Sequence, residues 1–197
     1  MTRLVLASAS PRRRELLTGV GWKFNIELPD PGLEESFNPC RCDPKELVRS
    51  LAHLKADNVA KRLADTQEAT IVLACDSIAV CRGEILGKPK DRNDAYRMLR
   101  LLSGSRHEVH TGMCLIRLPE FRVVETVETS VLYMEPLAES RIQAYLDSGL
   151  WQGKAGAFGY QDGNDWLQLE SGSESNVVGL PLETFAILYR DLAQTEV

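Results

Sequence analysis

The beginning of the chain constrains its fold more than any other stretch. Residues 4–7 form a short apolar run typical of a buried strand, and Ser10 followed by Pro11 is typical of a helix start. The first helical turn then holds three consecutive arginines, residues 12–14. Because a helix N-terminus already carries a partial positive charge, each cation there costs roughly 0.3–1 kcal/mol. A strand, a turn and an arginine-rich helix start therefore predict a site for a bound phosphate.

The overall charge of the chain argues against several classes of partner. The 197 residues carry a net charge of -5, whereas nucleic-acid-binding domains usually have a basic balance. No apolar run approaches the length of a membrane span, and the run at 4–7 is too short for a signal peptide. We therefore expect a cytoplasmic protein that binds neither nucleic acid nor membranes and whose arginines serve a small anion.

The cysteines and histidines show no known ligand pattern. There are five cysteines, and Cys75, Cys81 and Cys114 lie in apolar runs, which predicts reduced and mostly buried thiols. Cys40 and Cys42 are close enough in sequence to share a metal, but no second pair follows at zinc-site spacing. The three histidines also lack metal-ligand spacing and are interpreted as structural residues.

Helix and strand patterns alternate along the chain, which predicts an α/β fold in a single domain over residues 1–197. The second helix has the clearest start, with Asp43 as cap and Glu46 three residues later. Residues 151–176 are rich in Gly, Ser and Asn and are expected to form a long functional loop. The predicted strands are 3–7, 22–28, 70–75, 78–81, 106–118, 122–135 and 166–169, and the predicted helices are 11–19, 44–64, 91–102, 138–147 and 181–193.

Two charged residues are hard to explain as structure alone. Asp76 closes the apolar run 71–75, and ligands of open α/β sheets collect at the carboxyl ends of strands. An acid there can hold a divalent cation or accept a proton from water, although an Asp-Ser pair is also a common turn. Lys55 falls within the apolar stripe of the second helix, between Leu51 and Val59. It must reach solvent, pair with an acid or meet a phosphate.

Lys88 and Glu35 are weaker candidates. The segment around Lys88 superficially resembles a P-loop, but Arg82 and Pro89 stand where that motif requires Gly and Ser or Thr. A surface turn is the simpler interpretation, and a phosphate contact is the functional one. Glu35 would join Asp76 in a metal site only if the fold brings them together, since Mg²⁺ and Mn²⁺ prefer carboxylate and phosphate oxygens.

These candidates form a set suited to hydrolysis of a phosphoanhydride. Its cations would neutralise phosphates, while its acids would hold a metal and orient water. The cations are Arg12, Arg13, Lys55 and Lys88, and the acids are Asp76 and Glu35.

Seven short segments match the motifs of one known family, in the family's order and over almost the whole chain. They are Leu6–Arg13, Gly32–Glu35, Leu51–Ala56, Cys75–Ser77, Gly87–Pro89, Lys154–Gly159 and Gly172–Pro181. Each is weak alone, but seven in sequence are highly specific. Through them the chain resembles the Maf family of nucleoside triphosphate pyrophosphatases.

The resemblance implies a fold and a reaction. The fold would be an elongated, two-lobed α/β structure of the Maf and inosine-triphosphatase type, with a central mixed sheet flanked by helices and a cleft. The reaction would hydrolyse the bond between the α and β phosphates of a nucleoside triphosphate, with a divalent cation, Mg²⁺ or Mn²⁺, as cofactor. The substrate would be the main partner, and the resemblance also implies a homodimer.

The resemblance also assigns roles to particular residues. Asp76 would be the general base and, with Glu35, a metal ligand. The phosphate-binding residues would be Ser8, Arg13, Lys55 and Lys88. The residues that select the base would be Arg12, Ser77 and Gln161.

The specificity positions favour one subgroup. Arg12 and Gln161 resemble the subgroup that cleaves dTTP and UTP, whereas the 7-methyl-GTP subgroup would have Trp and Glu there. Ser77 keeps the hydroxyl of the usual threonine, and Asp162 stands where glycine is more usual. Two alternatives stay open at this stage: a nucleotide-binding regulator of septum formation and cell division, and a purine-type house-cleaning pyrophosphatase.

Overall fold

A mixed β-sheet flanked by helices organises the chain in a computed structural model, which describes residues 2–34 and 43–194. The strands are β1 Arg3–Leu6, β2 Asn25–Ile26, β3 Thr70–Cys81, β4 Glu84–Leu86, β5 Ser105–Leu118, β6 Arg122–Met134 and β7 Leu167–Ser171. The helices are α1 Pro11–Gly19, α2 Pro44–Arg62, α3 Arg92–Leu102, α4 Glu139–Asp147, α5 Glu174–Val178 and α6 Leu182–Ala193. The strand order is β2-β1-β3-β5-β6-β7, with β4 paired to β3. The expected α/β class and central mixed sheet are confirmed.

The chain divides into two compact units. The first takes its described residues from Met1–Asp76, Thr111–Val127 and Gly179–Val197, and the second consists of Ser77–His110 and Glu128–Val178. Among the described residues, none of the helices is both long and apolar enough to cross a membrane. The prediction of one domain over residues 1–197 stays a prediction.

Alternation along the strands of the first unit produces two apolar layers. Strand β1 directs Leu4 and Leu6 into a cluster with α1 and α6, whereas Val5 points into a cluster with α2. Phe185 of α6 is fully buried in the first cluster and packs edge-on against Trp22. Because both faces of the parallel β1 and β3 are covered, these strands contain continuous runs of apolar residues.

Helix α2 lies directly on the sheet because its inner face is built from small residues. The buried residues of this face are Val48, Ala52, Lys55, Ala56, Val59 and Ala60. At Gly112 of β5 a Cβ atom would lie only 2.2 Å from the carbonyl oxygen of Val48. The buried face of α2 therefore differs from the apolar stripe that the sequence predicted. Lys55 is buried with this face, whereas Leu51 and Leu54 are partly exposed. Three of the buried residues are alanines, whose small side chains allow the close approach.

The second unit has its own apolar core. It is formed mainly by α3, α4 and the segment after α4, with Tyr145, Trp151 and Trp166 as its largest members. Trp166 packs edge-on against Tyr145 of α4 at a centroid distance of 5.5 Å. Its hairpin between β3 and β4 turns at Arg82 and Gly83, and both residues have positive φ angles.

Three predicted elements were wrong in extent. Strand β3 does not end before Asp76 but continues to Cys81, because residues 79–81 pair antiparallel with β4. Strand β2 has two residues rather than seven. The segment 151–176 is less irregular than expected: the short strand predicted at 166–169 is present as β7, and two 3-10 turns and the start of α5 also lie in it.

Candidate active site

The turn between β1 and α1 holds the first group of candidate residues. Ser8 lies two residues beyond the end of β1 and is buried. Its Oγ accepts hydrogen bonds from the backbone N–H of Ser10 at 3.2 Å and from Nη1 of Arg13 at 3.0 Å. Arg13 also donates from Nε to the carbonyl oxygen of Gly179 at 2.8 Å. Its guanidinium is thus fixed at the start of α1, where its charge adds to that of the helix and suits an anion.

The two other arginines of this turn differ in exposure. Arg12 is partly buried, whereas Arg14 is exposed. Only Arg12 and Arg13 were assigned a role from the sequence, and the exposure of Arg14 agrees with that choice.

The second group is centred on the ammonium of Lys55. Its Nζ donates a hydrogen bond to Oδ1 of Asp76 at 2.6 Å and lies 2.8 Å from Oε1 of Glu34. Lys55 and Asp76 are buried, whereas the side chain of Glu34 is 52% exposed. A buried lysine needs such partners because an unpaired charge in the protein interior is strongly disfavoured.

The sheet places Asp76 next to the Ser8 turn. Strands β1 and β3 are parallel, with Leu6 opposite Leu73, and the N–H of Ala7 donates to the carbonyl of Leu73 at 2.8 Å. Beyond this point β1 leaves the sheet and β3 continues. Asp76 is therefore not at the end of its strand, but it lies beyond the carboxyl end of the parallel β1–β3 ladder, where ligands of such sheets collect.

The segment that carries Glu34 is anchored to α2. Asp30 forms an ion pair with Arg62 at 2.6 Å and accepts a hydrogen bond from Nδ2 of Asn58 at 2.8 Å. Arg62 also donates to the carbonyl oxygen of Leu28. These contacts hold the turn that leads to Glu34 over the helix that presents Lys55.

Cys75 shows that the two groups share one electrostatic environment. This thiol is completely buried, and burial raises its pKa to about 11. The charges of Arg13 and Lys55 both act in the opposite direction and favour the thiolate. Cys75 therefore lies within the field of both cations, and its thiol stays protonated at neutral pH. The expectation of buried thiols is confirmed for Cys75, Cys81 and Cys114.

Four further residues were predicted for the site, and the structure describes three of them. Ser77, Lys88 and Gln161 belong to the second unit, where Lys88 and Gln161 are exposed and Ser77 is partly buried. Glu35 lies outside the described residues. From the sequence we selected Glu35 and not Glu34, although Glu34 is the residue that contacts Lys55. The only sequence feature that could have pointed to Glu34 is its position next to Glu35.

Asp162, the unusual neighbour of Gln161, is tied into a network of the second unit. Both its carboxylate oxygens accept hydrogen bonds from Nζ of Lys154 at 2.5 Å, and Oδ2 accepts another from the hydroxyl of Tyr145 at 2.7 Å. Burial, together with the charge of Asp162, raises the pKa of Tyr145, so its hydroxyl remains a donor. No sequence pattern indicated this network, because its three members are brought together only by the fold.

The donor set of the first unit fits a hard divalent cation. Asp76 and Glu34 direct carboxylate oxygens at one point, which Lys55 now contacts. Oxygen ligands of this kind are those that Mg²⁺ and Mn²⁺ prefer, completed by water and substrate phosphates. Cys75 is a nearby sulfur ligand, but Mg²⁺ and Mn²⁺ prefer oxygen ligands to sulfur.

Comparison with known proteins shows what the chain is related to. The model of the family described as "Maf-like protein" matches residues 3–192. The chain belongs to this family. It is 47% identical to the "dTTP/UTP pyrophosphatase" of Rhodopirellula baltica, over 97% of this chain and 82% of that protein. It is 44% identical to the "dTTP/UTP pyrophosphatase" of Acetivibrio thermocellus, over 97% of this chain and 96% of that protein.

One solved structure supports the fold of this Maf-like protein. The structure of a HAM1 protein from Coxiella burnetii aligns with a TM-score of 0.50, covering 97% of this chain and all of that one. The sequence identity is only 15%, so the likeness concerns the fold alone.

Proposed function

We propose that this protein is a nucleoside triphosphate pyrophosphatase that hydrolyses dTTP and UTP to the monophosphate and pyrophosphate. The observation that carries the proposal is the buried Lys55–Asp76 pair beside the Ser8–Arg13 turn at the end of the β1–β3 ladder. The activity for which its relatives are named supports the proposal, since both are dTTP/UTP pyrophosphatases that align over nearly the whole chain.

The first step is binding of the triphosphate. Arg13 is the main cation, since its guanidinium is held by Ser8 and by the carbonyl of Gly179 before substrate arrives. Such preorganisation lowers the cost of ordering the site around an anion. The hydroxyl of Ser8 accepts from Arg13 and can donate its own proton to a phosphate oxygen.

The second step is attack of water on the α-phosphorus. Asp76 accepts the proton of this water as the oxygen–phosphorus bond forms, and the bond to the β-phosphate breaks to release pyrophosphate. Lys55 has two roles: it holds the Asp76 carboxylate through Oδ1 and offsets the negative charge that gathers on the phosphates. A divalent cation held by Asp76 and a neighbouring glutamate would neutralise phosphate charge when bound.

The finer assignments extend this proposal. Lys88 is a further phosphate contact, Glu35 a further metal ligand, and Arg12, Ser77 and Gln161 the residues that select the base. A cytoplasmic location and a homodimer are likewise predictions from sequence and family.

One assay tests the reaction directly. The purified protein is incubated with canonical and modified purine and pyrimidine triphosphates in the presence of Mg²⁺ or Mn²⁺, and pyrophosphate and orthophosphate are measured separately. We expect pyrophosphate, with dTTP and UTP the best substrates. Orthophosphate without pyrophosphate would refute the cleavage position. Preference for inosine triphosphate would favour a purine-type enzyme, and tight binding without turnover would favour a regulatory protein.

A further inference from the structure

A second group of metal-binding side chains lies in the first unit, on elements other than the β1–α1 turn. His53 of α2, Cys114 of β5 and Glu125 of β6 direct one ligand atom each to a common point, and these three atoms lie within 4.8 Å of one another. They are far apart in sequence, which explains why spacing rules found no metal motif around the histidines.

Two members of this group are already in contact. Nδ1 of His53 lies 2.6 Å from Oε1 of Glu125, so an imidazole and a carboxylate already meet. The Cys114 thiol lies beneath them and is completely buried, whereas His53 and Glu125 are partly exposed. A cavity of about 350 Å³, lined by Arg49, Ser50, His53, Leu54 and Glu125, opens beside the pair. An ion could therefore reach His53 and Glu125 from solvent, and the sulfur of Cys114 lies within 4.8 Å of the ligand atoms of both.

We propose that His53, Cys114 and Glu125 form a binding site for a transition-metal ion, with Zn²⁺ as the best fit. Imidazole, thiolate and carboxylate are the three ligand types that Zn²⁺ accepts, and a fourth position facing the cavity is open to water. Mg²⁺ would be rejected because it avoids sulfur ligands.

The geometry requires only a small adjustment. Zinc–ligand bonds of about 2.0–2.3 Å in a tetrahedron separate neighbouring ligand atoms by about 3.3–3.7 Å. His53 and Glu125 would thus open from 2.6 Å by less than about 1 Å. Cys114, whose sulfur lies within 4.8 Å of both ligand atoms, would adjust to the same tetrahedral spacing. The thiol would lose its proton to solvent as the sulfur–metal bond forms, which a bound cation drives even for a buried cysteine.

Cobalt(II) spectroscopy tests the proposal without nucleotide. Chelator-treated protein carrying Cys40→Ser and Cys42→Ser, which removes the Cys-x-Cys pair, is titrated with Co²⁺. We expect a near-ultraviolet thiolate-to-cobalt band that one equivalent of Zn²⁺ abolishes. Adding Cys114→Ser should remove the band, whereas Cys75→Ser, the matched buried thiol, should retain it. Absence of the band, or its persistence without Cys114, would overturn the proposal.

Surface variants provide a second measurement that does not depend on altering the core. In competition with a chromophoric chelator, His53→Gln and Glu125→Gln should each lower Zn²⁺ affinity by about 100-fold. Glu128→Gln, on the same strand, should leave the affinity unchanged. Equal affinity of all three variants for Zn²⁺ would contradict the assigned ligands. Because neither readout involves hydrolysis, failure here would leave the proposed pyrophosphatase activity unaffected.

Discussion

Each unit of the molecule contains a buried lysine–aspartate pair, but the two pairs have different surroundings. Lys55 and Asp76 have side chains that are 10% and 13% exposed, and Lys154 and Asp162 are 11% and 7% exposed. Asp162 holds its lysine with both oxygens and also accepts from the buried Tyr145. Lys55 instead divides its contacts between Asp76 and the half-exposed Glu34.

The comparison indicates that the two lysine–aspartate pairs have different functions. The Lys154–Asp162 pair is closed: a Cβ atom at Gly159 would lie 2.4 Å from both Lys154 Nζ and Asp162 Oδ2. A fully satisfied pair contributes to the uniqueness of the structure and leaves little room for a ligand. The Lys55–Asp76 pair opens towards solvent on its Glu34 side, so substrate can rearrange it. We therefore assign chemistry to the pair of the first unit and stability to that of the second.

The largest expected effect is on turnover. Asp76→Asn removes the proton acceptor but keeps an oxygen for Lys55, so kcat should fall about 1000-fold, or about 4 kcal/mol in activation free energy. The free energy of unfolding should change by less than about 1 kcal/mol, since Glu34 still pairs with Lys55. Steady-state pyrophosphate release measures the first quantity and urea unfolding the second. Asp65→Asn, at an exposed position, is the control, and wild-type turnover by Asp76→Asn would refute the mechanism.

The closed pair should show the opposite behaviour. Asp162→Ala leaves the buried Lys154 ammonium and the Tyr145 hydroxyl without their acceptor, which should lower the free energy of unfolding by about 3 kcal/mol. Urea unfolding followed by tryptophan fluorescence measures this, because Trp166 packs against Tyr145. An unchanged unfolding midpoint would show that the pair of the second unit is not structural.

Acid should act on the second unit through a buried histidine. Burial lowers the pKa of His107 to about 4 from an ordinary value of 6.5, so the unfolded chain binds this proton first. The neutral histidine causes no loss of stability above pH 6.5. As the pH falls from 6.5 towards 4, the free energy of unfolding decreases, and the decrease is about 2 kcal/mol at pH 5. His107→Leu should flatten this dependence in urea unfolding measured from pH 7 to pH 5. If the free energy of unfolding depends on pH equally in the variant and the wild type, His107 is not the source of the acid sensitivity.

The smallest effect should come from the exposed partner of the open pair. Glu34→Gln removes one charge next to Lys55 but leaves Asp76 in place, so the free energy of unfolding should change by about 0.5 kcal/mol or less. Its effect on activity should appear as an altered Mg²⁺ or Mn²⁺ requirement. Metal titrations of pyrophosphate release, compared with those of Glu46→Gln on the surface of α2, would detect it. Identical metal titrations for the two variants would show that Glu34 is not a ligand of the cation.

Local signals predicted the elements, and the motif order predicted the family, but side-chain environments needed the fold. The helix start at Pro11 and the position of Lys55 on the apolar side of α2 followed from pattern alone. Strand β3 was divided at Asp76 because an Asp-Ser pair usually marks a turn, and its pairing with β4 overrides that preference. The stripe of α2 was placed on leucines because hydrophobicity ranks them above alanine, whereas the close approach at Gly112 selects small residues.

The hydrogen bond between Arg13 and Gly179 has a consequence for how the protein is made. The two residues are separated by 166 positions, so a ribosome synthesises the arginine near the beginning and its anchor much later. Tyr189 likewise bonds the carbonyl of Thr2. A nascent chain that has not yet extended past Gly179 lacks the contact that fixes Arg13. The capacity to bind a triphosphate that we propose for this arginine would thus be acquired late in translation, after most of the sheet has been synthesised.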